Sequence, residues 1–296
     1  MTNLTAEEKS FRLKQIRYWI GWLSRGFASG QWNSFFLGRG FDFQGIAPFI
    51  DDPDFIRINW PATLNSGELQ VSQFSEERNI DMYLLGSLSP SMAFGSQVTK
   101  LERLATMAAV LSFSAFKLKD RFRFLGFTQN LENRFPKSGD QSYPLLLAKS
   151  IIDFDWQGKR GGGMLKAALS VPSQRSLVII VSDHLSENGD IEKSLRYLVP
   201  NHEVIAIALW DEREVSLPGK GWGIYPLQDL ETGEISYIFL TNKNRKRFEE
   251  NSRLRRQALN DLYSRYGIPL TFMIGGRSED DIEALIRIFL SKRNLV

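Results

Sequence analysis

The segment Ile80–Gly95, IDMYLLGSLSPSMAFG, sets three hydroxyls at alternate positions, Ser87, Ser89 and Ser91, in a tight loop after a short apolar run. Hydroxyls in such a row suit a hard cation such as Mg²⁺, which prefers oxygen ligands. Two other loops have residues to meet them. Lys159–Met164 carries Arg160-Gly-Gly-Gly163, and Asp183 is the first residue after LVIIVS (Leu177–Ser182). Asp183 is the one carboxylate placed at this set, and cation affinity depends on ligand charge. Ser89, Ser91 and Asp183 would therefore hold Mg²⁺ weakly at most, and no tightly bound cofactor is expected. Without a metal, the hydroxyls would cap the following backbone and Asp183 would accept backbone N–H bonds.

Other chemistry-bearing residues have plainer readings. The glycine run lacks the Gly-Lys-Ser/Thr ending of a phosphate-binding P-loop, so a flexible turn is favoured over an anion site. Asp153 and Asp155, in IDFDW, are read on a strand and not as a catalytic pair. The segment Asn244–Tyr266 bears Arg245, Lys246, Arg247, Arg253, Arg255 and Arg256, but Glu249, Glu250 and Asp261 dilute the strip. A solvated helix face is favoured there over a nucleic-acid surface. Trp19, Trp22, Trp32 and Phe35–Phe36 are read as packing an N-terminal extension onto the sheet.

The elements that must position these loops alternate from Ile80 onward, which favours an open, mainly parallel sheet with helices on both faces. Strands are expected at Ile80–Leu85, Arg121–Phe127, Leu177–Ser182, Glu203–Leu209 and Pro269–Ile274. Helices are expected from about Ser96 to Ala115, at Ile191–Leu198, at Asn244–Tyr266 with Gly267 beyond its end, and after Ser278, which with Asp281 resembles a capping box. Asp211–Tyr237 is an excursion with turn signals at Pro218-Gly219 and Thr232-Gly233. Upstream, Ile16–Phe27 suits a short aromatic helix, and Gln31–Arg78 reads as extended pieces broken by glycine and proline. The expected organisation is an aromatic helix and β-rich extension over residues 1–78, then an α/β domain over residues 79–296.

Composition removes whole classes of function. The 296-residue chain has no cysteine and two histidines, His184 and His202, which excludes disulfides, thiolate metal centres and multi-histidine sites. A net charge of +3 does not by itself imply nucleic-acid binding. No apolar run approaches the ~18–20 residues of a membrane span. No apolar stretch follows the charges of MTNLTAEEKSFRLK, so no signal peptide is read and cytoplasmic residence is expected.

Several segments together resemble a bacterial family catalogued as domain of unknown function fifty-eight. They are GRGFDFQGIAPFIDDPDFIRINW (Gly38–Trp60), LNSGELQVSQFSEERN (Leu64–Asn79), HEVIAIALWDEREVSLP (His202–Pro218) and DLETGE (Asp229–Glu234). The resemblance implies a von Willebrand factor A-like core, in which an Asp-x-Ser-x-Ser loop, a threonine and an aspartate hold a metal ion. Here those positions read Ser87, Ser89, Ser91, Met164 and Asp183. Ser87 and Met164 are non-ligand replacements, a thioether being too soft for Mg²⁺. Members are often encoded beside MoxR-type AAA+ ATPases. The resemblance thus implies a degenerate metal site and a non-enzymatic interaction module or adaptor whose partner is such an ATPase or its client, its binding face the loop edge containing Ser87–Ser91, Gly161–Met164 and Asp183–His184. The alternatives are a metal-dependent hydrolase at the Asp183 loop, or nucleic-acid binding through the basic helix at 244–266.

Overall fold

The computed structural model describes residues 43–48, 60–66, 70–74, 81–132, 135–136, 141–185, 188–217, 223–228, 234–275 and 278–293. The aromatic segment Ile16–Phe27 lies outside them. Of the extension, β1 (Phe43–Pro48) pairs antiparallel with β2 (Gln70–Phe74), apart from the main sheet. Between them lies α1 (Trp60–Ser66), where only extended pieces were expected. Pro61 falls in its first turn, where a missing N–H removes no helical hydrogen bond.

The main sheet begins with β3 (Asp81–Ser87). Its side chains alternate between two cores: Met82 and Leu84 pack into one, Tyr83 and Leu85 into the other. Burial on both faces is why this run is continuously apolar. α2 (Lys100–Leu118) follows. Thr99 and Glu102 form its capping box: Thr99 Oγ1 accepts from Glu102 N at 3.2 Å, and Glu102 Oε2 accepts from Thr99 N at 2.8 Å. The helix therefore starts later than the expected Ser96, whose backbone N–H and hydroxyl both donate to Asp211.

β4 (Arg121–Phe127) and the two-residue β5 (Leu131–Glu132) come next. α3 (Tyr143–Ile152) and α4 (Met164–Leu169) then lead to β6 (Leu177–Ser182). α3 corrects the strand reading of IDFDW: Asp153 caps the helix end and Asp155 lies in the loop beyond it, both exposed. α5 (Asn188–Leu198) joins β6 to β7 (Glu203–Trp210). The Asp211–Tyr237 excursion contains α6 (Glu212–Val215) and most of an antiparallel hairpin, β8 (Gly223–Gln228) and β9 (Ile235–Leu240). α7 (Asn242–Ser264) ends before Gly267, whose φ of 70° suits glycine. β10 (Leu270–Ile274) and α8 (Ser278–Arg293) close the domain.

The sheet order is β10-β7-β6-β3-β4-β5, parallel throughout except for β5 at the edge. α2 and α3 contribute to one apolar core, with Leu285 of α8; α4, α5 and α7 contribute to the other. This is the expected three-layer, mainly parallel α/β architecture. Strands β3 and β6 are neighbours, yet the chain leaves β3 for β4 on one side and β6 for β7 on the other. Such a switch point opens a crevice beyond the carboxyl ends of the two strands, where open α/β sheets bind ligands.

Candidate functional site

The crevice at the switch point is a cleft of about 600 Å³. All three expected loops reach it: Ser87, Ser89 and Ser91 after β3, Arg160–Gly162 before α4, and Asp183 after β6. Asp190 and Lys193 of α5 complete its polar lining.

The serine loop is held by its backbone. Leu88 N donates to Phe127 O at 2.7 Å, and Met92 N donates to Ser89 O at 2.9 Å in a short 3₁₀ turn, Pro90–Ala93. The three hydroxyls are thereby aligned, with Ser87 Oγ 3.1 Å from Ser89 Oγ and Ser89 Oγ 2.8 Å from Ser91 Oγ. Ser91 donates to the Asp183 carboxylate. Each hydroxyl has one hydrogen, so the row runs from Ser87 through Ser89 and Ser91 to Asp183.

Asp183 is 2% exposed. Its Oδ1 accepts from Leu185 N at 3.3 Å, and its Oδ2 lies 3.0 Å from the ammonium of Lys100. Lys100, completely buried at the first position of α2, is also 2.6 Å from Glu214 Oε1. Burial alone would push the Asp183 carboxyl up; Lys100 and the Ser91 hydroxyl outweigh it and hold the group below its usual range. Burial opposes the charge on Lys100 too, and its two carboxylate partners overcome that. Burial raises Glu214, with Lys100 pulling the other way. Lys100 and Glu214 do not line the cleft; they stand behind Asp183.

His184 anchors the third loop. Its backbone is left-handed, with φ of 53°, a conformation for which histidine is enriched among non-glycine residues. Ring Nε2 lies 3.1 Å from the Ile207 carbonyl, which can only accept, so Nε2 carries the hydrogen and Nδ1 accepts from Tyr263 Oη at 3.0 Å. Burial depresses this imidazole to about 4. Arg255 donates to His184 O at 2.8 Å, tying the loop to α7. Arg253 pairs with Glu250, and Arg256 sits 5.0 Å from the Phe272 ring centroid. Three cations of the basic strip thus already have partners within the protein.

In the second loop the glycines answer to geometry. Gly162 has φ of 98°, and a Cβ on Gly163 would sit 2.3 Å from Thr128 O. Met164 is fully buried in an apolar core rather than in the cleft, and His184 is buried as well, so neither belongs to the expected binding face. Both carboxylate oxygens of Asp281 bind Arg103.

These residues do not fit a divalent ion. One loop carboxylate is present at the serine row, and it already has an ammonium partner. Among the described residues no group of three or more His, Cys, Asp or Glu gathers as a metal set. Lys100 and Glu214 escaped the sequence reading because they lie 83 positions before and 31 positions after Asp183. A signal was present nonetheless. Residues 104–111 of α2 are apolar but for Thr106, so the helix is buried all round. A cation in its first turn must then be buried too, and paired.

The fold and cleft define a three-layer, mainly parallel α/β domain with a polar crevice at its switch point. Residues 51–258 match the family model described as Protein of unknown function DUF58, and the chain belongs to that family. Uncharacterized proteins of Mycobacterium tuberculosis and Mycobacterium bovis are 25% identical over 247 residues, covering 81% of this chain and 76% of theirs. Among solved structures, BatB from Bacteroides thetaiotaomicron aligns at 15% identity with a TM-score of 0.42, over 74% of this chain and 100% of its own. A von Willebrand factor type A protein from Catenulispora acidiphila aligns at 11% identity and a TM-score of 0.35, over 73% of this chain and 43% of its own. Among the described residues no helix is long and apolar enough to cross a membrane.

Proposed function

We propose that this chain is a non-enzymatic interaction module that seats an acidic group of a protein partner in the cleft at the β3–β6 switch point. The observation that carries this reading is the charge arrangement of the cleft. Arg160 and Lys193 line it with exposed cationic side chains, whereas Asp183 is already paired behind it with Lys100. Asp190 is the remaining acidic lining residue. The balance favours an incoming carboxylate, with the serine row giving polar contacts around it. The same pairing argues against hydrolysis. A lysine kept protonated by two carboxylates is no base for a serine, and a lone paired Asp183 offers little to metal-assisted chemistry, which works through an open coordination position.

The partner assigned in this reading is a MoxR-type AAA+ ATPase or its client, on the strength of the family resemblance. Nucleic acid is not favoured, because Arg253, Arg255 and Arg256 are engaged internally. The test is affinity capture of a MoxR-type ATPase from the same organism by the purified chain, compared with an S89A/S91A variant and an R160A/K193A variant. Reduced capture with an unchanged melting temperature is expected for both. Capture by both at wild-type level would refute this face.

A further inference from the structure

We infer that Lys100 is the resident cation of this site: its ammonium gives Asp183 the positive partner that a divalent ion provides in metal-bearing sites of this fold, and it makes the serine loop metal-independent. The inference shares the Asp183–Lys100 pair with the cleft reading but adds the Glu214 arm and the helix position, and it holds whichever partner the cleft takes.

The position of Lys100 is electrostatically adverse. It is the first residue of α2, where the helix dipole presents its positive end and favours anions over cations. It is also 0% exposed, and an ammonium is among the groups least often buried without a partner. Two carboxylates from distant parts of the chain hold it there: Asp183 from the end of β6 at 3.0 Å and Glu214 from α6 at 2.6 Å. Glu214 is itself fixed, since its Oε2 accepts from Asp211 N at 2.8 Å. The chain therefore builds a three-membered charge row, Asp183–Lys100–Glu214, behind a row of three hydroxyls that ends on the same Asp183. The neutral residue at position 87 follows from this. With an ammonium already beside Asp183, a second carboxylate in the serine loop would add a buried negative charge with no cation to meet it.

A metal ion approaching from the cleft would meet hydroxyls and a carboxylate whose charge is already compensated. Removing Lys100 while restoring an acidic residue at position 87 should turn the site back into a cation site. The test is Mn²⁺ titration of the full chain, followed by electron paramagnetic resonance of free Mn²⁺ and by calorimetry, on wild type, S87D, S87D/K100M and S87D/K100M/D183A. Wild type is expected to show no saturable Mn²⁺ binding. S87D/K100M is expected to bind, about tenfold or more tightly than S87D, and to lose binding again with D183A. Should S87D/K100M not fold, S87D/K100M/E214Q takes its place, because it also removes the other carboxylate that the lysine compensates. Saturable, Asp183-dependent Mn²⁺ binding by wild type would overturn the inference. So would equal affinities of S87D and the lysine-free variant, or no binding by the latter.

Discussion

Arg103 offers a quantitative test of how the cleft end of the sheet is held. It lies one turn beyond Lys100 on α2 and is 1% exposed. Its Nε donates to Asp281 Oδ2 at 2.7 Å and its Nη2 to Asp281 Oδ1 at 2.6 Å, a bidentate pair. Nη1 and Nη2 also donate to the carbonyls of Trp210 and Met273, at 3.0 and 2.9 Å. One guanidinium thus joins α2, β7, β10 and α8. R103M fills much of the volume but leaves Asp281, 4% exposed, without its cation, and takes a donor from the carbonyls of Trp210 and Met273.

Breaking a buried ion pair from one side costs about 3–5 kcal/mol. At roughly 2–4 °C per kcal/mol for a domain of this general size, the melting temperature should fall by about 6–20 °C. Urea denaturation followed by far-UV circular dichroism measures the loss directly, provided the slope with denaturant is unchanged. D281L should cost a similar amount, because it leaves Arg103 unpaired. R103M/D281L removes both charges and should recover much of the loss, giving a strongly favourable coupling in the double-mutant cycle. A loss under about 1 kcal/mol for R103M, or a double variant as unstable as the sum of the singles, would refute the claim that this pair joins the elements.

Other expectations follow from the same neighbourhood. His184 is neutral in the fold, its pKa depressed from 6.5 to about 4, so its contribution is present above pH 6.5 and is lost as pH falls toward 4. The size is about 3 kcal/mol, and H184N should flatten stability against pH in that window; parallel curves would show that His184 is not the group responsible. G163A should lower the melting temperature, because its Cβ would sit 2.3 Å from Thr128 O and overpacking costs about 1–3 kcal/mol. G162A meets open space but must hold φ of 98°, which costs about 1 kcal/mol or more. An unchanged melting temperature for G163A would mean that the loop does not dock there.

Much of the fold was legible because burial on both faces leaves a strong trace. LVIIVS and IDMYLLGS could hardly be anything but interior parallel strands, and the three loops expected at their ends do meet in one cleft. What stayed hidden was set by contacts between distant positions. α3 and α4 were missed because YPLLLAKSII and MLKAAL are short, apolar runs whose helical state comes from packing rather than from a clear polar face. α2 was started too early because nothing local shows that Ser96 is bound to Asp211, 115 positions away. The site divided in the same way. Its cleft residues follow strand ends and could be read off, while the lysine and glutamate behind Asp183 come from elsewhere in the chain.

That division bears on why a serine row persists where a carboxylate is expected. Hydroxyls kept for a metal would need a charged ligand beside them, and position 87 lacks one. Hydroxyls kept as a polar surface need only a fixed acceptor at the end of the row to orient them. Asp183 is such an acceptor: Lys100 holds it ionised, Leu185 N donates to one oxygen, and Trp210 Nε1 donates to its backbone carbonyl at 2.8 Å. Ser91 is thereby set by Asp183, Ser89 by Ser91 and Ser87 by Ser89, all before any ligand arrives. A ligand then meets groups already oriented, which reduces the ordering cost of binding. On this view the lysine has changed the part played by the serines, from ligands of a cation to a row of hydroxyls oriented by one.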